Sequence, residues 1–234
     1  ACVNIKEYKF LNNLQNKKKR NIYFNFNLRH SKLYKTTLNY VKNKKLGKLH
    51  HIYFKGSNGI SFKKSLNKSN RFKSNDVFDR ITGNIGVHYI NYFLGLQKNK
   101  INLFFNEGKI FKKKSEFSKI DLIGNNFFSS IFLTYSSIAD YRADLVFTNG
   151  ILKFDNDSIK LAYPRDSFDK NGNFIYPKEK VLHKFDSYKK YTELSFISSI
   201  KYFLNITKYK KNFLIRDYDD ALKSSYLILN AKNK

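Results

Sequence analysis

The 234-residue chain lacks tryptophan and methionine, and it has only two prolines, Pro164 and Pro177, and one cysteine, Cys2. A single cysteine excludes an intramolecular disulfide framework and a zinc site built from cysteines. No run approaches the ~18 consecutive apolar residues of a membrane-spanning helix. The first residues also lack the charged and then apolar pattern of a secretory signal. These absences predict a chain without a membrane segment in a reducing compartment, the cytoplasm.

The chain carries 45 Lys+Arg against 18 Asp+Glu, a formal net charge of +27, and 41% of its residues are hydrophobic. This apolar content suffices for a core and excludes a disordered basic tail. The basic excess raises a nucleic-acid-binding interpretation. However, the lysines are spread along the whole chain, and AT-rich codons account for much of the Lys, Asn, Ile, Phe and Tyr content. Without a known nucleic-acid-binding motif, this function is only a third alternative.

Hydrophobic periodicity predicts an α+β fold. Helices are predicted at 4–20, 31–47, 84–95, 190–205 and 217–231, the fourth with Leu194, Ile197 and Ile200 at helical spacing. Strands are predicted at 21–27, at 49–56 and in several runs between 101 and 163, one of them KIFKKK at 109–114. Turn residues such as Asn149-Gly150 separate the later strands and indicate an antiparallel meander. The segments 57–76 and 163–177 are predicted loops.

The segment GNIGVHYINYFLGL at 83–96 carries the strongest chemical signal. On a helix, Asn84 and His88 lie one turn apart on the same side, and Asn91 follows three residues later. Gly83 and Gly86 leave room beside them for a ligand or for another stretch of backbone. A histidine in this setting fits a general acid or base. The alternative is a histidine that packs on an apolar helix and is satisfied by one hydrogen bond.

Two arginines are further candidates for contact with a ligand. Asn27 and Arg29 follow a predicted strand, where side chains often contact ligands, and Arg29 can hold a phosphate or carboxylate. Arg165 follows Pro164 in a predicted loop, from which it could reach an anionic substrate. The alternative in both cases is an arginine that is simply solvated.

Taken together, these segments resemble the Gfo/Idh/MocA oxidoreductases, NAD(P)-dependent enzymes that act on sugars, inositols and nucleotide-sugars. FNFNLRHS resembles the family's "fN.R.s", and YVKNKKLGKLHHIYF resembles its "i..g.lGki..v". GNIGVHYINYFLGL resembles its "D.G.H.iD...yl.G", and ADLVFTNGILKFD and DYDDALKSSYLIL resemble its last sheet and closing helix. The resemblance covers essentially the whole chain.

The resemblance implies the C-terminal part of a two-domain protein. Residues 1–27 would be the last helix and strand of a truncated Rossmann domain. Residues 28–234 would form the α+β substrate and oligomerisation domain, an open, mostly antiparallel sheet with helices packed on one face. The glycine-rich loop and the catalytic lysine of a Glu-Lys-Pro motif would precede Ala1, within on the order of 100 further residues. The fragment alone would then be inactive.

The resemblance also implies roles for individual residues. His88 falls on the catalytic or substrate-orienting histidine, and Asn84 falls where many members have a catalytic aspartate. Asn91 replaces a second aspartate and is expected to contact the substrate, and Asn27 and Arg29 match the motif near the nicotinamide and the substrate.

The implied function is oxidation or reduction of a sugar or nucleotide-sugar with NAD or NADP, in surface-polysaccharide or sugar metabolism. The implied assembly is a homo-oligomer formed through the sheet. The alternative is a non-catalytic sheet domain that pairs with itself or with a partner.

Overall fold

The computed structural model describes residues 4–18, 22–62, 77–96, 100–109, 115–125, 127–163, 167–208 and 215–233. The helices in these ranges are α1 (Ile5–Lys18), α2 (Lys32–Asn43), α3 (Val87–Leu96), α4 (Tyr188–Lys208) and α5 (Ile215–Leu229). A π-helical turn, Thr82–Gly86, leads directly into α3, and 3-10 turns cover Asn27–His30 and Ile60–Phe62. None of the described helices is both long and apolar enough to cross a bilayer.

The described strands are β1 (Leu49–Ser57), β2 (Asn102–Gly108), β3 (Phe117–Ile123), β4 (Phe128–Thr134), β5 (Asp140–Phe147), β6 (Gly150–Asp155), β7 (Ser158–Ala162), β8 (Glu179–Lys184) and β9 (Lys232–Asn233). They form one nine-stranded sheet in the order β8-β7-β6-β5-β1-β4-β3-β2-β9. Only the β1–β4 and β2–β9 neighbours are parallel, and every other neighbouring pair in this sheet is antiparallel. The predicted α+β fold with an open, mostly antiparallel sheet is therefore confirmed.

The sheet has one covered face and one open face. On the covered face, the ring of Phe54 meets the rings of Tyr89 and Tyr92 of α3 at centroid distances of 4.9 and 5.1 Å. Side chains that alternate with this set point to the open face, as the period of a strand requires. The helices therefore pack on one face, as predicted.

The N-terminal caps of two helices follow local sequence signals. The Tyr34 N–H donates to Ser31 Oγ at 3.1 Å, and the Glu7 N–H donates to Asn4 Oδ1 at 2.8 Å. Each side chain satisfies an amide that has no partner within its own helix. α2 ends earlier than predicted, because Lys44 rather than Gly47 is the first left-handed residue, with φ 55°.

The strand predicted at 21–27 is wrong for the described residues 22–27, which form an irregular segment without strand pairing and the start of a 3-10 turn. Its alternating aromatic side chains pack on helices instead of pairing in a sheet. The Tyr23 ring stacks on Phe203 of α4 at 5.5 Å, and the Phe24 ring lies 5.5 Å from Tyr218 of α5. The alternating aromatic residues thus indicated buried side chains, and in the structure helices rather than a neighbouring strand bury them.

The apolar stripe of α4 faces away from the core. Leu194, Ile197 and Ile200 are 41%, 45% and 52% exposed, whereas Tyr191 and Ser195 are buried. The helix itself forms where the sequence predicts it, and it is slightly longer at both ends.

One strand was not predicted from the sequence, and two predicted features lie outside the described residues. β8 was not predicted, because its residues are mostly exposed and show no apolar alternation. The KIFKKK run lies outside the described residues from 110 to 114, and Arg165 also lies outside them.

Candidate functional site

The π-helical turn and the start of α3 present the two candidate catalytic side chains. Neighbouring glycines allow this segment to approach the rest of the domain closely. A Cβ at Gly83 would collide with the backbone of Val77 and Phe78, and a Cβ at Gly86 would meet the Ile120 side chain of β3 at 2.5 Å. Of the two uses predicted for the glycines, close packing against other parts of the domain is therefore the one observed at both positions.

His88 is held in an apolar environment. The Phe26 ring lies edge-on to the imidazole at a centroid distance of 5.3 Å. The Nδ1 atom is buried and has no hydrogen-bond partner among the described residues. Burial lowers the pKa of His88 to about 4, because it disfavours the charged imidazolium. The ring is therefore neutral at physiological pH, and its unprotonated nitrogen can accept a hydrogen bond.

Asn84 lies one turn before His88 and is only partly buried. Its backbone N–H donates to the Arg80 carbonyl at 2.8 Å. Asn27, also assigned to the substrate, is buried at the start of the 3-10 turn that follows Phe26. Phe26 thus links the turn to His88. An amide and a neutral imidazole on one side of a helix suit a hydroxyl group, because together they offer donors and an acceptor.

Arg29 is ion-paired within the domain. Its guanidinium lies 2.7 Å from Asp220 Oδ2 and 3.4 Å from Asp217 Oδ1, both on α5, and its side chain is only 9% exposed. The same group fills the space beside Gly95 of α3, where a Cβ would collide with it. The solvated arginine considered from sequence does not occur. The role of Arg29 in substrate binding stays a prediction.

Asn91 is fully buried, and neither atom of its amide has a hydrogen-bond partner among the described residues. It lines a cavity of about 410 Å³ whose walls include neither Asn84 nor His88. Arg29 lines the same cavity. The structure therefore separates the predicted residues into two groups. Asn84 and His88 stand at the start of α3, and Asn91 and Arg29 stand at a cavity further along it.

Comparison of the sequence with protein-family models and with curated proteins finds no match. Solved structures do match the fold. An oxidoreductase from Agrobacterium radiobacter in complex with NAD+, L-tartaric acid and magnesium matches with a TM-score of 0.71 at 12% identity, over 97% of this chain and 66% of that one. Scyllo-inositol dehydrogenase from Lactobacillus casei gives 0.70 at 12% identity, over 97% and 65%. Myo-inositol 2-dehydrogenase from Lactobacillus plantarum gives 0.68 at 14% identity, over 95% and 65%.

These matches show a shared fold. The chain spans about two thirds of the length of the dehydrogenases that it matches, whereas nearly all of its own residues are aligned. The resemblance to the Gfo/Idh/MocA oxidoreductases drawn from sequence motifs is confirmed at the level of the fold.

The buried ion pair of Arg29 gives a prediction for stability. Arg29→Met leaves the facing aspartates without a counter-charge, and we expect the free energy of unfolding to fall by about 3 kcal/mol in urea denaturation. Asp220→Asn should also destabilise, and the double variant should lose less than the sum of the two. The matched control is Lys189→Met, which removes an exposed pair with Glu193 at 4.0 Å and should cost under about 0.5 kcal/mol. If Arg29→Met lowered the free energy of unfolding no more than Lys189→Met does, the stabilising role of the Arg29 ion pairs would be contradicted.

The lowered pKa of His88 gives a prediction for pH dependence. Between about pH 6.5 and pH 4 the unfolded chain binds a proton at His88 and the folded chain does not, so stability falls as the pH falls through this window. From pH 7 to pH 5 the loss from this group should be about 2 kcal/mol, at about 1.4 kcal/mol for each pH unit below 6.5. His88→Gln cannot titrate and should show a correspondingly shallower decline in urea denaturation. Parallel declines for the two proteins would contradict the burial of this ring.

Proposed function

We propose that this chain is the substrate-binding and oligomerising part of an NAD(P)-dependent dehydrogenase that acts on a ring hydroxyl of a sugar or inositol. The observation that carries the proposal is the pair Asn84 and His88. The two side chains stand one helical turn apart, with a buried nitrogen of His88 unpaired among the described residues. This pair lies in a fold shared with two inositol dehydrogenases and an NAD+-bound oxidoreductase. A nucleotide-sugar is the alternative substrate.

The residues of this chain support the handling of the substrate's proton. A neutral His88 accepts a hydrogen bond from the reacting hydroxyl and takes its proton as the carbon is oxidised, while the hydride would go to NAD+ or NADP+ held by further polypeptide. Asn84 donates to or accepts from a neighbouring hydroxyl and orients the ring, and Asn27 directly follows Phe26, whose ring contacts the imidazole of His88. Asn84 replaces the family's carboxylate, so the proton is not shared with an acidic side chain at this position.

The residues of this chain do not fit the nucleotide cofactor. The sequence contains no GxGxxG segment that could hold a pyrophosphate at the start of a helix. We propose that further polypeptide supplies the NAD or NADP site, which leaves the 234 residues inactive alone. The oxidised or reduced nicotinamide would then be presented to the side of α3 that carries Asn84 and His88.

The exposed apolar stripe of α4 supports a contact with such polypeptide. Leu194, Ile197, Ile200 and Leu204 are each 41–55% exposed along one helix. Contiguous apolar surface of this kind commonly marks an interaction site. The same helix packs against Tyr23, in the segment that the resemblance assigns to the nucleotide-binding domain. The domain boundary at residue 27 stays a prediction.

The catalytic assignment predicts a loss of turnover. We expect the chain, produced together with the polypeptide encoded directly upstream of it, to oxidise myo-inositol or a related sugar with NAD+ or NADP+. His88→Ala should lower kcat by about 10²–10⁴-fold, the usual contribution of a positioned acid or base. His50→Ala, on β1, is the matched control and should keep the activity. Unchanged turnover in His88→Ala would remove the histidine from the mechanism, and no turnover of any polyol or sugar would reject the proposal.

The open face of the sheet supports the proposed homo-oligomer. Tyr53, Ile123, Phe128 and Val181 lie on this face and are 37%, 47%, 46% and 53% exposed. The register places Tyr53 beside Ser130, and Ile123 beside Phe128, so the apolar side chains of β1, β3 and β4 are near neighbours. A second copy of the chain would cover them by packing sheet on sheet.

The oligomer predicts a change of mass in solution. Phe128→Lys places a charge in the apolar part of the open face, and we expect sedimentation to show a shift from dimer or larger assemblies to monomer. Ile138→Lys is the control, because Ile138 is 80% exposed between β4 and β5 and lies outside the strands of this face. A monomeric unmodified chain would contradict the proposal. Assembly without any turnover in the full protein would instead favour the non-catalytic sheet domain.

A further inference from the structure

A cavity of about 410 Å³ lies between the segment 23–30, α2, the C-terminal half of α3 and α4. This volume falls within the range of pockets that bind small molecules. Its apolar and aromatic wall includes Phe24, Phe26, Tyr34 and Tyr202. The candidate catalytic residues Asn84 and His88 are not part of it, so it needs an explanation of its own.

The buried amide of Asn91 indicates that the cavity is more than a packing defect. Asn91 lines the cavity, is fully buried, and has no hydrogen-bond partner for Nδ2 or Oδ1 among the described residues. A buried polar group without partners is costly, and a leucine of similar size would avoid that cost. Because both amide atoms are fully buried, a ligand in the cavity reaches them only when the wall at Asn91 shifts, and it would then supply both a donor and an acceptor to the amide.

The charges around the cavity favour an anion. Lys35 and Lys42 both line it from α2, two helical turns apart or on the order of 10 Å along the axis. Lysine side chains are long enough to converge on one phosphate across that distance. The single positive charge of Arg29 faces two carboxylates, that of Asp217, which also lines the cavity, and that of Asp220, so this cluster carries a net charge of −1. His30 is neutral at physiological pH, because burial lowers its pKa to about 4. The two lysines outweigh the surplus carboxylate, so the groups around the cavity carry a net positive charge of one.

We propose that this cavity binds a phosphate ester of a ring compound. The phosphate is held by Lys35 and Lys42, and the ring lies along the aromatic wall with a hydrogen-bonding edge towards Asn91. Nucleoside monophosphates and sugar phosphates share this chemistry. The site is separate from the Asn84–His88 pair and does not rest on the proposed dehydrogenase activity.

The test is calorimetric titration of the 234-residue chain with AMP and with glucose 6-phosphate, alongside adenosine, glucose and inorganic phosphate. We expect one of the two esters to bind with a Kd below about 1 mM. Its dephosphorylated form and inorganic phosphate should each bind at least tenfold more weakly. The ester that binds identifies the ring, nucleoside or sugar.

Asn91→Leu and the double variant Lys35→Ala/Lys42→Ala separate the two halves of the site. Each should weaken binding of the ester at least tenfold, and the lysine variant should also reduce its dependence on salt. Lys45→Ala, an exposed lysine just after α2 that does not line the cavity, is the matched control and should keep the affinity.

Asn91→Leu has a second readout that needs no ligand. Because it removes an unpaired buried amide, the midpoint of thermal unfolding should rise by about 2–4 °C. Failure of both esters to bind would overturn the proposal, as would equal binding of inorganic phosphate. Binding that survives both Asn91→Leu and Lys35→Ala/Lys42→Ala would overturn it as well.

Discussion

The ion pairs of Arg29 fix the part of the molecule on which both sites depend. The guanidinium bridges from the 3-10 turn to Asp217 and Asp220 of α5, and it occupies the space left free by Gly95 of α3. A charge this buried is tolerated only while its partners stay in place, so the pair holds three elements in one geometry. The turn that contains Arg29 directly follows Phe26, whose ring covers His88. The environment that keeps His88 neutral therefore depends on the position of Arg29.

Much of the fold could be predicted because its signals are local. Ser31 caps α2 through the Tyr34 N–H, and the turn before Gly150 joins two antiparallel strands with Phe147 opposite Gly150. Such signals depend on a few residues that are adjacent in sequence, so they do not depend on how the rest of the chain folds. The alternation of buried and exposed residues along β3 and β6 likewise follows from the pleat of a strand. Together they were enough for the antiparallel meander, whereas the open sheet with helices on one face was implied by the family resemblance.

The features that escaped prediction depend on contacts distant in sequence. The segment 22–27 alternates like a strand, yet its burial comes from helices about 180 residues further along the chain. The environment of Arg29 is set by aspartates 188 and 191 residues away, which no local pattern connects to it. The cavity at Asn91 was equally invisible, because an asparagine within an apolar helix gives no indication of whether its amide is paired. The spacing of Asn84 and His88 is a local signal, and their joint role stays a prediction, whereas the environment of His88 depends on Phe26.

The polar stripe of α3 joins the two proposed sites in one physical scheme. Asn84 in the π-helical turn is followed along the chain by His88 and Asn91 on α3, and none of them carries a charge at neutral pH, because burial keeps His88 unprotonated. At the start of the helix this neutrality suits a hydroxyl, since an uncharged imidazole is free to accept its proton. Towards the other end of the helix, the neighbouring positive charge comes from Lys35 and Lys42 on α2. In the proposed cavity site, these lysines hold the phosphate of the ligand, and the uncharged Asn91 faces its ring. Because these side chains are uncharged, the elements packed beside α3 determine whether each proposed site binds an alcohol or a phosphate.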